Sequence, residues 1–417
     1  MWGGDAADRP RGARRLLALA LAGALAAGGI GCATMAASSL ETSSSRELYP
    51  TVEQLDDYSY VLGSYDARRA AGYNTQLVLG SSELYPAPGV LFHPATMLAG
   101  DATGVDAMVL GRPGCSDVWQ AVEVGALAGD RGVKRVVLVP SLLWFTAGRN
   151  PQSDYPGIFS QGAYDAFMAQ RHLSDRTKRA ATERLRRYGV PIPSAEGPFG
   201  HAATRLDASI AEAAQSLHRL FARTPPAEDA PRLDIRPTGE AGPSSSTGCG
   251  SAGREPRWGE LYTEAREASE RAHADSELGC YRSWMEGGYR TFSRRAREWA
   301  EAGPAALSAE ELEDFKLVLS VCREAGVEAC VLIQPVNGFV YDETVYGREA
   351  RQRFYQMIRD ACDEAGVAYA DLSSHEYDDL FFRDDNHPSS VGALYYSRAI
   401  WTFLAQGAPE TAPLDVE

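Results

Sequence analysis

Short apolar runs rich in β-branched residues alternate along this chain with longer segments whose apolar positions recur at helical spacing. This alternation is typical of an α/β fold in which a parallel sheet has helices on both faces. The pattern predicts five strands, at residues 75–79, 106–110, 133–139, 327–334 and 367–371. The segment 347–366 has apolar residues at helical spacing and ends at a glycine, so we expect a β-α-β unit over the last two strands.

A second helix is predicted before the fourth strand, where Ser308 and Glu311 have capping-box spacing and Gly326 ends the apolar stripe. Between the third and fourth strands, residues 144–302 form charged helical stretches that we interpret as an insertion. Within it, residues 224–256 are so rich in Pro, Gly, Ser and charge that a disordered loop is expected. The predicted domain covers residues 75–405, and residues 406–417 form a C-terminal tail.

The N-terminal segment carries a membrane signal. Basic residues within 1–15 precede an apolar run at 16–37, close to the roughly 20 residues that a membrane-spanning helix needs. The positive-inside rule then predicts a single-pass cell-membrane protein with a cytoplasmic N-terminus and an extracellular domain, joined by a spacer at 38–74. A retained signal anchor is favoured, while a cleaved secretory signal and a lipid-modified Cys32 are the alternatives.

Composition excludes several classes of function. The 417 residues, 44% of them hydrophobic, can bury one large core or two smaller ones, and a net charge of −15 disfavours nucleic acid as a partner. The seven cysteines show neither a disulfide framework nor a zinc pattern, and their pairing stays open. Without clustered histidines or a phosphate-binding loop, no metal and no organic cofactor is expected.

Candidate catalytic side chains follow the first and the last predicted strands. The first strand leads into Gly80-Ser81-Ser82, and carboxyl ends of parallel strands often present nucleophilic serines there, although such a turn alone is common structural chemistry. Asp384 and His387 are three residues apart, so the carboxylate can orient the imidazole that takes a serine proton. The order Ser, Asp, His occurs in esterase-type triads, and together these signals predict catalysis.

Seven short motifs follow in order: GSSEL (80–84), FHP (92–94), GRPGC (111–115), LWF (143–145), ELEDFKLVL (311–319), PVNG (335–338) and RDDNHPS (383–389). In these motifs the chain resembles the DltD family of D-alanine transfer proteins of teichoic-acid D-alanylation, over about residues 46–405 without the low-complexity loop. The resemblance implies an SGNH-hydrolase-like (flavodoxin-like) catalytic domain outside the cytoplasm, on one N-terminal membrane helix.

The resemblance also implies roles for individual residues. Ser82 matches the nucleophile of the SGNH Gly-Asp-Ser motif, and Asp384 and His387 match its Asp-x-x-His pair. Gly111, favoured over Gly114, would supply a backbone donor to the oxyanion, and the alternative is that this segment is only a tight turn before the helix at Cys115.

One motif departs from the family, which commonly has Ser-Pro-Gln-Trp-Phe where this chain has Leu143 in place of the Gln. Asn337 is then a candidate side-chain donor, unless it belongs to a tight Asn-Gly turn. Glu83 could attract the ammonium of a D-alanyl group, but capping of the following turn is favoured. His93 is expected to be a structural contact.

Acyl transfer is the predicted function: Ser82, activated by His387, would take a D-alanyl group and pass it to a hydroxyl of a teichoic-acid-like polymer. The resemblance implies the membrane, a multipass membrane acyltransferase and, less strongly, a D-alanyl carrier protein as partners. Two alternatives stay open. One is an SGNH-type esterase or O-acyltransferase of another envelope glycan, and the other is a non-catalytic scaffold of the D-alanylation machinery.

Overall fold

The computed structural model describes residues 58–192 and 255–414, apart from gaps at 71, 86, 88, 99–102, 129–130, 148, 150–154, 156–157, 191 and 275. The predicted cytoplasmic tail, the membrane segment at 16–37 and nearly all of the predicted loop 224–256 lie outside the described residues. None of the described helices combines the length and the apolar character required to cross a bilayer.

A five-stranded parallel sheet forms the centre of the described region, in the order β2-β1-β3-β4-β5. Its strands are β1 (Gln76–Gly80), β2 (Ala107–Gly111), β3 (Arg135–Leu138), β4 (Glu328–Ile333) and β5 (Ala368–Asp371). The predicted fold class is thereby confirmed. Each predicted strand overlaps an observed one, and the observed strands are shorter or shifted by one residue.

Helices connect and cover these strands. In chain order they are α1 (Tyr58–Ala70), α2 (Pro94–Met97), α3 (Asp117–Leu127), α4 (Leu142–Phe145), α5 (Gln161–Ala169), α6 (Asp175–Arg187), α7 (Trp258–Ala272), α8 (Arg282–Ala302), α9 (Ala309–Glu324), α10 (Gly338–Tyr341), α11 (Arg348–Ala365) and α12 (Ser390–Gln406), with 3₁₀ turns at Ser82–Leu84 and Ser373–Tyr377. The described residues between β3 and β4 are thus largely helical.

The sheet separates two apolar cores, because alternate residues of a strand point to opposite faces. Leu77 and Leu79 of β1 join a core that also contains residues of α3, α9 and α11, whereas Val78 joins one built with α7 and α12. Burial on both faces explains why β1 and β2 read as continuous apolar runs in the sequence.

Helix ends follow local sequence rules. The Ser308 hydroxyl accepts a hydrogen bond from the Glu311 N–H at 3.1 Å at the start of α9, and α11 ends at the left-handed Gly366. The cysteines of the described region are buried free thiols: Cys115, Cys280, Cys322, Cys330 and Cys362.

Strand order creates a crevice at one edge of the sheet. From β1 the chain moves first to β2 and then to β3 on the opposite side of β1. Such a reversal leaves a crevice at the carboxyl ends of the strands, where ligands of open α/β sheets bind. The segments after β1, β4 and β5 therefore face the same region.

Candidate active site

The turn that carries Ser82 crosses directly over the ends of two strands. Gly80 ends β1 and pairs with Gly111 at the end of β2, and the 3₁₀ turn begins at Ser82. A Cβ atom at Gly111 would lie 2.4 Å from the backbone carbonyl carbon of Leu84. Only a residue without a side chain lets the Ser82 turn approach β2 this closely.

A hydrogen-bonded chain joins Ser82 to the loop before α12, 305 residues later. The Ser82 hydroxyl lies 2.9 Å from His387 Nε2. On the other side of the ring, Nδ1 lies 2.9 and 2.8 Å from the two carboxylate oxygens of Asp384. The three side chains thus have the connectivity of a nucleophile, a base and an orienting acid.

Backbone groups hold the Asp384 carboxylate in place. Its Oδ1 atom accepts hydrogen bonds from the N–H groups of Asn386 and His387, at 3.0 and 2.7 Å. The loop is closed where Arg383 N–H donates to the His387 carbonyl at 3.0 Å. At the next helix, the Ser389 hydroxyl accepts from two N–H groups of the first turn of α12, so the base lies directly before a capped helix.

Electrostatics in this chain favour an ion pair between His387 and Asp384. Burial alone lowers the pKa of His387, but attraction to Asp384 and the hydrogen bond to it outweigh burial and raise that pKa above its usual value. Burial raises the pKa of Asp384, but His387 and then Arg383 reverse this, so its net pKa is lowered. Asp384 is therefore ionised, and His387 is a stronger base than an isolated imidazole.

His93 supports the turn that carries Ser82. Its Nδ1 accepts the Ala95 N–H at 3.2 Å at the start of α2, so Nε2 carries the proton and donates to the Glu83 carbonyl at 3.0 Å. Burial lowers the pKa of His93 to about 4, which keeps the ring neutral. These contacts agree with the structural role expected from the FHP motif.

Glu83 is buried beneath the nucleophile turn. Its Oε1 accepts the Ser81 N–H at 2.5 Å, and the Gln334 side chain lies beside the carboxylate. Burial raises the pKa of the Glu83 carboxyl. This placement favours support of the local backbone over the alternative in which Glu83 binds a substrate ammonium, because the residue is only 1% exposed.

The Asn337 side chain forms hydrogen bonds with backbone groups of neighbouring segments and does not face the crevice. Its Oδ1 accepts the Val340 N–H at 3.3 Å at the start of α10, and its Nδ2 donates to the Leu278 carbonyl at 2.8 Å. The Asn337 N–H donates to the Asp385 carbonyl at 2.9 Å. Full burial and these bonds argue against Asn337 as an oxyanion or substrate donor, and the residue instead fixes the loop that carries Asp384.

The two glycines proposed for the oxyanion differ in position. Gly111 lies beside the Ser82 turn, whereas a Cβ at Gly114 would meet Ile158, and Gly114 has a left-handed φ of 83°. Proximity to the nucleophile favours Gly111, and its role as a donor stays a prediction. Leu143, at the position where the family has Gln, is half-buried against the core.

Gln334 is a site residue that the sequence did not suggest. Directly after β4, it is 2% exposed, accepts a hydrogen bond from the Tyr396 hydroxyl at 3.2 Å and contacts the Glu83 side chain. The sequence feature that could have identified it is a single amide side chain directly after an apolar strand whose carboxyl end lies at the crevice. In residues 58–192 and 255–414, no group of three or more His, Cys, Asp or Glu side chains is arranged to hold a metal ion.

A five-stranded parallel sheet with a Ser-His-Asp arrangement at the carboxyl ends of its strands defines an SGNH-hydrolase-like α/β protein. The family model described as DltD protein matches residues 58–405. The chain therefore belongs to the DltD family, which is involved in the D-alanylation of teichoic acids, and the resemblance found in its motifs is confirmed.

Two relatives show how far the similarity extends. The chain is 34% identical to Protein DltD of Bacillus subtilis (strain 168) over 97 residues, which are 23% of this chain and 25% of that protein. It is 20% identical to Protein DltD of Staphylococcus aureus (strain NCTC 8325 / PS 47) over 333 residues, which are 80% of this chain and 81% of that protein. The first match thus spans a quarter of its relative, and the second covers most of both chains.

Proposed function

We propose that this protein is a serine acyl-transfer enzyme that acts in the D-alanylation of a teichoic-acid-like polymer. The observation that carries the proposal is the 2.9 Å contact between Ser82 and His387, whose ring is held by Asp384, in a chain of the DltD family. A protein that only docked the polymer would need neither this contact nor the backbone bonds that hold the Asp384 carboxylate.

The first half of the reaction forms an acyl-enzyme. His387 Nε2 takes the proton from the Ser82 hydroxyl, whose oxygen attacks the carbonyl carbon of a D-alanyl ester or thioester. Backbone N–H groups at Ser82 and Gly111 hold the negative oxygen of the tetrahedral intermediate. When the intermediate collapses, the bond to the leaving group breaks, and His387 returns its proton to that group. The product is a D-alanyl ester on Ser82.

The second half reverses these roles. His387 takes a proton from a polymer hydroxyl, whose oxygen attacks the acyl-enzyme carbonyl. When this second intermediate collapses, the ester bond to Ser82 breaks and His387 returns the proton to the Ser82 oxygen, which restores the free enzyme. Asp384 stays ionised and stabilises the imidazolium in both halves. The raised pKa of His387 supports its role as the base. A stronger base holds the serine proton more tightly while the serine oxygen forms its bond to the carbonyl carbon.

The proposal places the reaction outside the cytoplasm, with residues 16–37 as the membrane anchor. The polymer is the acceptor, and a multipass membrane acyltransferase is the proposed partner. A D-alanyl carrier protein is a weaker candidate, because a cytoplasmic carrier would be separated by the membrane from a domain that faces outward.

The test measures alkali-labile D-alanine on envelope polymer from cells whose only copy is wild type, Ser82→Ala or His387→Ala. Both variants should lose the ester while the protein stays at its normal level in the membrane. Ser320→Ala is a matched control, because its hydroxyl only donates to the Lys316 carbonyl within α9.

Each alternative function has its own outcome. Normal D-alanine in both variants, with loss on deletion of the gene, would show that the protein is a scaffold. D-alanine that never depends on the protein would show that the substrate is a different one. With purified protein, turnover of acetyl esters but not of D-alanyl esters would indicate an esterase or O-acyltransferase of another envelope glycan.

A further inference from the structure

Arg383 directly precedes Asp384 in the loop that carries the base, and its side chain is partly exposed. Its backbone is fixed on both sides, since its N–H donates to the His387 carbonyl at 3.0 Å and its carbonyl accepts the Tyr281 N–H at 2.9 Å. Its side chain is 25% exposed, and its Nε lies 3.4 Å from Asp384 Oδ2. Its charge lowers the pKa of both His387 and His93, so the guanidinium is within electrostatic range of the groups that flank Ser82.

Both acids of this loop, Asp384 and Asp385, have partners besides Arg383. Asp384 already binds His387 and two backbone N–H groups, and Arg295 of α8 pairs with Asp385 at 3.6 Å. The terminal nitrogens of Arg383 have no hydrogen-bond partner among the residues that the structure describes. This cation also opposes protonation of His387, which the proposed reaction requires. An anion bound to Arg383 would remove that opposition.

The acceptor supplies such an anion. A teichoic-acid-like polymer consists of polyol units joined by phosphodiesters, so each acceptor hydroxyl lies a few bonds from a phosphate. A protein with a net charge of −15 repels a polyanion overall and needs a local cation to hold one. A guanidinium presents paired N–H donors that match phosphate oxygens.

We infer that Arg383 binds a phosphodiester of the acceptor polymer and so places the neighbouring hydroxyl at Ser82. This inference rests on the proposed function and adds the group by which the acceptor is recognised. Arg383 is thereby a substrate-binding residue, distinct from the Ser82, His387 and Asp384 side chains that perform the chemistry.

The test measures binding without turnover, in the full chain carrying Ser82→Ala. Calorimetric titration compares an oligomer of glycerol units joined by phosphodiesters with a neutral oligomer of the same length joined by ether bonds. Arg383→Gln should weaken binding of the anionic oligomer about tenfold or more, and Arg383→Lys should weaken it less. Arg290→Gln, at an exposed arginine of α8, is the matched control and should change the Kd by less than about twofold.

Several results would overturn the inference. Unchanged binding by Arg383→Gln would do so, as would an equal loss in Arg290→Gln, which would indicate a diffuse charge effect. Equal weakening of the neutral oligomer would indicate a structural role. Binding only to vesicles of an anionic phospholipid would show that the ligand is a lipid headgroup. Because no turnover is needed, a failure here is distinguishable from normal D-alanine in Ser82→Ala cells, which would refute the acyl-transfer proposal.

Discussion

Replacing Gly111 by alanine tests whether the close approach of the Ser82 turn to β2 positions the nucleophile. The added Cβ would lie 2.4 Å from the Leu84 carbonyl carbon and 2.6 Å from both its carbonyl oxygen and its Cβ. Two of these atoms belong to the backbone, so no change of rotamer removes the clash. Restoring an ordinary contact of about 3.5 Å requires the turn to move by about 1 Å.

A displacement of this size is large for a nucleophile. Misplacement by about 1 Å can lower an enzymatic rate about a hundredfold. Overpacking of a well-packed region also costs about 1–3 kcal/mol of stability. We therefore expect Gly111→Ala to react about a hundredfold more slowly at Ser82 and to unfold at a lower temperature.

The assay is the second-order rate of labelling by a serine-directed phosphonate, followed by intact mass, together with the thermal midpoint of unfolding. Gly287→Ala is the matched control, since nothing lies within 4 Å of a Cβ built at this position in α8. It should label at the wild-type rate and be slightly more stable. A Gly111→Ala protein with wild-type labelling and an unchanged midpoint would refute the argument from close approach.

Three further predictions concern charge. Labelling of the serine should rise with pH through the raised pKa of His387, because only the neutral ring accepts the proton, and a flat profile from pH 5 to 9 would contradict this. Glu83→Gln should change the turnover of D-alanyl and acetyl esters equally, whereas a selective loss for D-alanyl esters would show that Glu83 binds the ammonium. Arg351→Gln should lower the free energy of unfolding, measured by chemical denaturation, by about 3–5 kcal/mol, because it leaves the buried Glu376 without its cation. The control Lys316→Gln, which removes a surface ion pair, should lower it by less than about 1 kcal/mol.

The sequence by itself determined the fold class and the residues of the hydrogen-bonded chain. Strands buried on both faces must be apolar throughout, so β1 and β2 are visible as runs without knowledge of their neighbours. Ser82 and the Asp384–His387 pair follow strands, and parallel strands place their carboxyl ends at the same edge of a sheet. Local periodicity and that rule suffice to bring these side chains to the same region.

Only the tertiary structure decided what the neighbouring polar residues do. Asn337 and Glu83 follow strand ends as Ser82 does, yet both side chains turn inward to hold backbone. Asn337 donates to Leu278, which lies in the long segment between β3 and β4, and Gln334 accepts from Tyr396 of α12. The direction of a side chain at a strand end depends on which distant segment packs against it, and contacts between distant segments leave no periodic pattern in the sequence.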